Sequence, residues 1–278
     1  MKSIFTLIAF SSLALSSMAQ SPYLNLEWEE VSIDPFVYSD LEAQTGPGVT
    51  CWRVYASIPE NWELQINYGD FLTPLSLNST TGFYQNPLGA ATADGIIPEA
   101  IDLDPTLAYD SWLTIGYENN IDNILYVVTD PSIFDSWEAG GDLLLNNLFG
   151  SGVFITTEGF SPQNSPDENG RVLVAQITST GLVEGCFNFQ IRRLNPDGTI
   201  LIPVESEIFN NVCFTLDPGP NPCYNDFNNS GQVDVTDLLF LLSEFGCTGG
   251  CPIDINGDGN TWLEELFFFL AAYATDCN

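Results

Sequence analysis

Trp62-Glu63-Leu64-Gln65-Ile66-Asn67-Tyr68 places an apolar side chain at every second position and a polar one between. An extended chain sends alternate side chains to opposite faces, so this stretch reads as a half-buried β-strand with Trp62, Leu64, Ile66 and Tyr68 facing inward. Segments of similar character recur at 24–31, 52–58, 112–117, 124–128, 153–157, 171–178, 186–194 and 212–216. Turn clusters such as Asp167-Glu168-Asn169-Gly170 and Asn195-Pro196-Asp197-Gly198 separate several of them. Many short strands with no convincing helix between them predict a mainly β fold, an antiparallel β-sandwich covering residues 20–216.

The sandwich is bounded on both sides. Lys2, an apolar run over residues 4–15 and the small residues Ser17-Met18-Ala19 read as a secretory signal peptide, 1–19. The apolar run is too short to span a membrane, and no later stretch approaches the roughly 20 apolar residues that a spanning helix needs. The expected location is therefore extracellular, without membrane insertion. At the other end, Asp217-Pro218-Gly219-Pro220-Asn221-Pro222 removes backbone donors at alternate positions and reads as a short, stiff linker, 217–222.

Removing the signal peptide would remove the one lysine. That leaves Arg53, Arg171, Arg192 and Arg193 as the positive side chains against 37 Asp and Glu, with no histidine. Such a field repels nucleic acid and anionic membranes and attracts divalent cations; adaptation to a salty medium explains it equally well. The missing residue types also exclude Ser-His-Asp and Cys-His nucleophile pairs, lysine Schiff bases, P-loop lysines and histidine zinc sites. The chain does not read as an enzyme. Any catalysis would rest on carboxylates, as in a glycoside hydrolase, and the neighbouring Glu138 and Asp142 are no more than such an acidic chain provides by chance. Trp28, Trp52, Trp62, Trp112 and Trp137 could stack on sugars, but their strand positions fit core packing better. The stretch 82–98, rich in small and turn residues, reads as a long structured loop.

Residues 223–278 carry a different signal. Two stretches offset by twenty-eight residues, each running into an apolar segment, follow the twelve-residue calcium-loop pattern of oxygen ligands at positions one, three, five, seven, nine and twelve with glycine at six. The first supplies Asp226, Asn228, Ser230, the Gln232 carbonyl, Asp234 through water, and Asp237, with Gly231 at the bend. The second supplies Asp254, Asn256, Asp258, the Asn260 carbonyl and Glu265, with Gly259 at the bend. Trp262 stands at its position nine, where an indole cannot coordinate Ca2+ and water must substitute. Val233, at position eight, is expected to pair the two loops through a short β contact. Helices are expected over 238–245 and 266–273, the second apolar nearly all round, so that a surplus of apolar surface remains to be covered by the sandwich or by another protein.

Seven cysteines divide between the two parts. Cys223, Cys247, Cys251 and Cys277 frame the loop–helix units; the first choice of pairing is Cys223 with Cys247 and Cys251 with Cys277, with the other two pairings open. Cys186 and Cys213 lie on expected neighbouring strands and are expected to bridge, leaving Cys51 as a buried, inert thiol.

On these loops, 223–278 resembles a dockerin-type tandem calcium module in its cysteine-bracketed form, in which each repeat is a loop plus its following helix. The resemblance implies Ca2+ as cofactor and a role in attachment or assembly, through a cohesin-like or cell-surface protein partner. The positions used for cohesin recognition depart from the usual small hydroxyl residues, being Val235-Thr236 and Leu263-Glu264. The N-terminal part, with Trp52-Arg53-Val54-Tyr55 and Phe83-Tyr84-Gln85, resembles uncharacterised secreted modules, which implies no activity. The expected function is thus a secreted calcium-binding protein with a sandwich of adhesive or structural type; the alternative is a glycan-binding or polysaccharide-degrading protein tethered through its C-terminal module.

Overall fold

The computed structural model describes residues 23–128, 131–155, 162–218, 225–228, 230–249, 251–253, 255 and 259–274. The expected signal peptide and residues 219–224 of the linker and its exit lie outside them. Among the described residues the fold is mainly β, with two antiparallel sheets.

The first sheet runs β1 (Asn25–Val31), β2 (Thr50–Ser57), β9 (Arg171–Ser179) and β5 (Trp112–Leu113), in that spatial order. The second is organised on β10 (Val183–Arg193). Along one edge β10 pairs first with β4 (Leu75–Ser79) and then with β3 (Trp62–Gly69), while β11 (Ser206–Leu216) pairs along the other. The strands β8 (Ser151–Ile155) and β6 (Leu125–Val128) extend the sheet beyond β3, and β7 (Leu143–Leu145) extends it beyond β4. The inner faces meet in one apolar core that includes Trp52, Val54 and Ile177 from one sheet and Leu64, Phe187 and Phe189 from the other. Cys186 and Cys213 are direct cross-strand partners on β10 and β11, and they form the expected disulfide.

The opening strand departs from its simple alternation. Leu64 pairs with Ile191 but Ile66 pairs with Gln190, so Gln65 is an extra residue, a β-bulge. A one-residue insertion reverses the faces beyond it. Trp62 and Leu64 enter the core, whereas Ile66 and Tyr68 turn outward to line an apolar groove of about 380 Å³ with Phe154, Val128 and Ile208. Asn67 takes the buried position instead. Nor is the polar face near Glu63 open to water. Glu63 is the cross-strand neighbour of Arg192, and the two form a buried ion pair. Gln65, with its amide oxygen turned toward the guanidinium, accepts from Nε and Nη1 of Arg192 at 3.3 and 3.2 Å.

A helix also interrupts the expected run of strands. In α1 (Pro35–Thr45), Asp34 caps the N-terminus by accepting from the Phe36 amide at 2.9 Å, and Pro35 supplies a preset backbone at the first position. Gly46, at φ 95°, closes it. Only Leu41 of this helix is fully buried, in a small cluster with Val49, Cys51, Tyr84 and Tyr109. Cys51 is free and buried, and burial pushes its thiol up to about 12, which keeps it protonated and inert. The short helices α2 (Pro98–Ile101) and α3 (Asp135–Glu138) lie in the connections.

The buried pair generates a test. Arg192→Met leaves the Glu63 carboxylate buried without its partner and is expected to cost about 3–5 kcal/mol, whereas Glu63→Met with Arg192→Met recovers most of that loss. Urea unfolding of the three proteins measures both differences; equal losses in the single and double variants would contradict the account.

Candidate calcium-loop site

The C-terminal loops are built from their carboxylates. Asp226, at position one, accepts from the Ser230 amide at 2.9 Å and from the Gly231 amide at 2.8 Å, which draws the loop around it. Asn228 Oδ1 accepts from the Ser230 amide at 2.8 Å, and the Ser230 hydroxyl donates to the Gln232 carbonyl at 3.2 Å. Asp237, at position twelve, closes the turn: its carboxylate accepts from the Asn228 amide at 3.1 Å and the Asp234 amide at 3.0 Å, and the side chain is fully buried. Gly231 sits at φ 85°, a left-handed conformation that glycine adopts without a Cβ penalty.

Of the second set, Asn260 and Glu265 are described, while Asp254, Asn256 and Asp258 lie outside the described residues. Gly259 repeats the φ of 85° found at Gly231. Glu265 repeats the role of Asp237: it is fully buried, and Oε2 accepts from the Trp262 amide at 2.7 Å. Its Oε1 is buried without a hydrogen-bond partner among the described residues.

The helices start three residues before their expected positions, as α4 (Val235–Glu244) and α5 (Leu263–Ala272). Position nine of each loop is the helix N-cap, so positions ten to twelve already form the first turn. Asp234 fills the cap with a carboxylate that accepts from the Thr236 amide at 2.7 Å. Trp262 makes no side-chain cap bond. Helix ends with unsatisfied amides favour negative side chains nearby, which suits Asp237 and the Glu264-Glu265 pair.

The two position-eight residues do not pair with each other as expected. The Val233 carbonyl accepts from Ala274 N–H at 2.8 Å, and the Thr261 carbonyl accepts from Gly246 N–H at 2.8 Å. Each loop therefore pairs with the segment that follows the helix of the other repeat. Both acceptor and donor pairs keep the twenty-eight-residue offset of the sequence repeat. The helices meet in a small core of Val233, Leu241, Ile253, Phe269 and Ala272, a cluster separate from the sandwich core. Phe227 stacks on Phe269 with ring centroids 6.3 Å apart.

The disulfide expectation is corrected here. Cys247 bonds to Cys251 rather than to Cys223, and Cys251 is thereby excluded from Cys277. The reason is the ladder that leads into the second loop. Thr261 N–H donates to the Cys247 carbonyl and Gly249 N–H to the Gly259 carbonyl, which folds the connector back and holds the two cysteine Cα atoms 5.7 Å apart. Cys223 and Cys277 lie outside the described residues.

Asp234 is turned to its helix cap, and among the described residues no three His, Cys, Asp or Glu side chains gather as a metal cluster. Besides the Asp226 and Asp237 carboxylates, this loop offers amide, hydroxyl and carbonyl oxygens, the hard donors calcium takes alongside carboxylates. Among the described residues no helix is long and apolar enough to cross a membrane.

Elsewhere, the aromatic residues divide. Trp52, Trp62, Trp112 and Trp137 are buried, as core packing requires, and Trp28 is half exposed. Asp142 accepts from the Ser79 amide at 3.1 Å, a structural bond. A buried carboxylate that composition gave no reason to single out is Asp110, beneath the turn at 86–90. Burial pushes it up to about 7 against the lowering effect of the Asn86 and Ala90 amides that donate to it. Comparison of the chain with protein families, curated proteins and solved structures finds no match.

Because the folded-state value of Asp110 lies above the ordinary aspartate value of about 3.9, the folded protein holds this proton more tightly than the unfolded chain. Its contribution is fully present below about pH 4 and is lost as pH rises toward 7. The stability difference between the native chain and Asp110→Asn is therefore expected to change across this window, measured by urea unfolding at each pH; a constant difference would refute the assignment.

Proposed function

We propose that the chain is an exported calcium-binding protein in which a dockerin-like module, 223–278, serves attachment or assembly for the β-sandwich of 20–216. The observation that carries this reading is the burial of Asp237 and Glu265 at position twelve of the two loops. Residues 223–278 contain no lysine, arginine or histidine. A buried carboxylate is costly unless a cation or a full set of donors compensates it. Asp237 has two amide donors, Glu265 has one on Oε2, and its Oε1 has none among the described residues. A divalent cation from outside the chain supplies what the chain lacks, and the oxygen-rich loops favour calcium.

Export is supported by the disulfides Cys186–Cys213 and Cys247–Cys251 among the described residues, since such bonds persist in oxidising surroundings. Attachment is supported by the apolar side chains that α4 and α5 leave exposed, among them Leu239, Phe240, Phe267 and Leu270. Apolar surface of this extent on so small a unit favours a protein partner of the cohesin-like or cell-surface kind.

Scanning calorimetry of the whole protein tests the metal. Calcium is expected to raise the melting of the C-terminal module, by about 2.7 kcal/mol of stability at a hundredfold excess over its dissociation constant. Identical melting with calcium and with excess chelator would remove the metal from the reading. Asp226→Ala with Asp254→Ala is expected to abolish the calcium response and leave the sandwich transition in place; loss of both transitions would mean that the two parts fold as one unit.

A further inference from the structure

At one end of the sandwich the turn after β4 and the end of α3 approach so closely that Gly82 has no room for a side chain. Phe83 N–H donates to the Gly140 carbonyl at 2.8 Å, and a Cβ on Gly82 would lie 2.5 Å from that same oxygen. Beside this contact opens a cleft of about 420 Å³, within the size range of small-molecule sites. It is lined by residues 81–85, the end of α1, the end of α3, and Ser179 and Thr180 at the end of β9.

The walls are mainly polar, with Phe83, Tyr84 and Pro87 as their apolar part. Thr45, Thr81, Ser179 and Thr180 contribute hydroxyls, Gln85 an amide and Glu138 a carboxylate. The hydroxyls form a chain: Thr180 donates to Thr81 at 3.0 Å, Thr81 and Ser179 lie 3.3 Å apart, and Ser179 donates to the Gly82 carbonyl at 2.7 Å. The Gln85 amide has no hydrogen-bond partner at either its oxygen or its nitrogen, although both are shielded from water. Buried polar atoms are ordinarily paired, and leaving them unpaired costs about 1–3 kcal/mol each. Burial also raises the Glu138 carboxyl, partly offset by the Ala91 amide.

Among the described residues no cation lines the cleft, and each arginine is already paired: Arg53 with Glu118, Arg171 with Glu29 and Asp167, Arg192 with Glu63, and Arg193 with Glu205. Phosphates, sulfates and uronic acids are therefore unsuited to it. A ligand matched to these walls is neutral, presents several hydroxyls that both donate and accept, and fills the volume of roughly one or two sugar rings.

We propose that this cleft binds a neutral saccharide, with Glu138 accepting from ring hydroxyls and Gln85 turning its amide to one that donates and one that accepts. The calcium reading is not needed for it. The test is isothermal titration of the full chain, in calcium, with cellotriose, xylotriose and laminaritriose as neutral probes, trigalacturonate as an anionic probe and spermidine as a cationic one. At least one neutral trisaccharide is expected to bind saturably, and Glu138→Gln and Gln85→Leu are each expected to weaken it about tenfold or more, the loss of one good hydrogen bond. Glu138 is exposed as a residue while its carboxyl is partly desolvated and bonded to the Ala91 amide, so unchanged melting of each variant is the control that the fold is kept. Absence of binding by all three neutral probes, binding that survives both variants, or preference for trigalacturonate or spermidine would each overturn the proposal.

Discussion

Positive charge is the scarce component of this protein, and the distribution of four arginines governs much of what the rest can do. Each is held by a carboxylate, and the one pair that is buried, Arg192 with Glu63, lies on neighbouring strands at the centre of the larger sheet. Burial of two charges is tolerated there because the register places them side by side and the Gln65 amide oxygen accepts twice from the guanidinium. The bulge that makes room for Gln65 also reverses β3, sending Asn67 inward and Tyr68 outward. A single charge pair and a single extra residue thus decide which side chains the sheet gives to its core and which to its outer groove.

The C-terminal part has no such resource. Its buried carboxylates are first compensated by backbone amides, which explains why both loops have the same form: an acid at position twelve reaches back over the helix start to the amide of position nine. The same twenty-eight-residue spacing recurs in the exchanged β contacts, at Val233 with Ala274 and Thr261 with Gly246. Neither repeat completes its hydrogen bonding alone. The folding of one loop is tied by geometry to the helix of the other, and the Cys247–Cys251 bond fixes the connector through which this tie runs.

The sandwich class, the Cys186–Cys213 bridge, the buried Cys51 and the internal burial of four tryptophans were legible in residue pattern because each depends on local alternation or on composition. What escaped depends on tertiary context. The bulge at Gln65 leaves no mark in a strictly alternating stretch. The helix α1 carries its cap in Asp34-Pro35 but lacks an apolar period, since only Leu41 is deeply buried. The strands β4 and β7 are short, and they exist because β10 and then β4 offer open edges. The first loop was legible as a turn by residue type and spacing, and the structure brings Asp226, Asn228, Ser230, Gln232 and Asp237 into one hydrogen-bonded turn. The Cys247–Cys251 pairing was not, because the proximity of those two residues is made by a ladder to Thr261 and Gly259 rather than by the loop–helix units themselves.

Two explanations of the acidity can now be separated by where the acids lie. Surface carboxylates are solvated, and at physiological ionic strength their mutual repulsion is screened beyond about 8 Å, so adaptation to salt accounts for them without any bound ion. Screening by mobile ions does not reach Asp237 and Glu265, which are sealed from solvent. Those two carboxylates need compensation at fixed positions, by amides or by an ion held within the loop. Asp237 comes near to satisfaction with two amides, while Glu265, one methylene longer, presents an oxygen that the described backbone leaves unserved. The longer side chain stands in the loop that has Trp262 where the first has Asp234, so the more exacting acid follows a helix cap without a carboxylate. General acidity, a property of the solvated surface, gives no reason for this difference between the two buried acids.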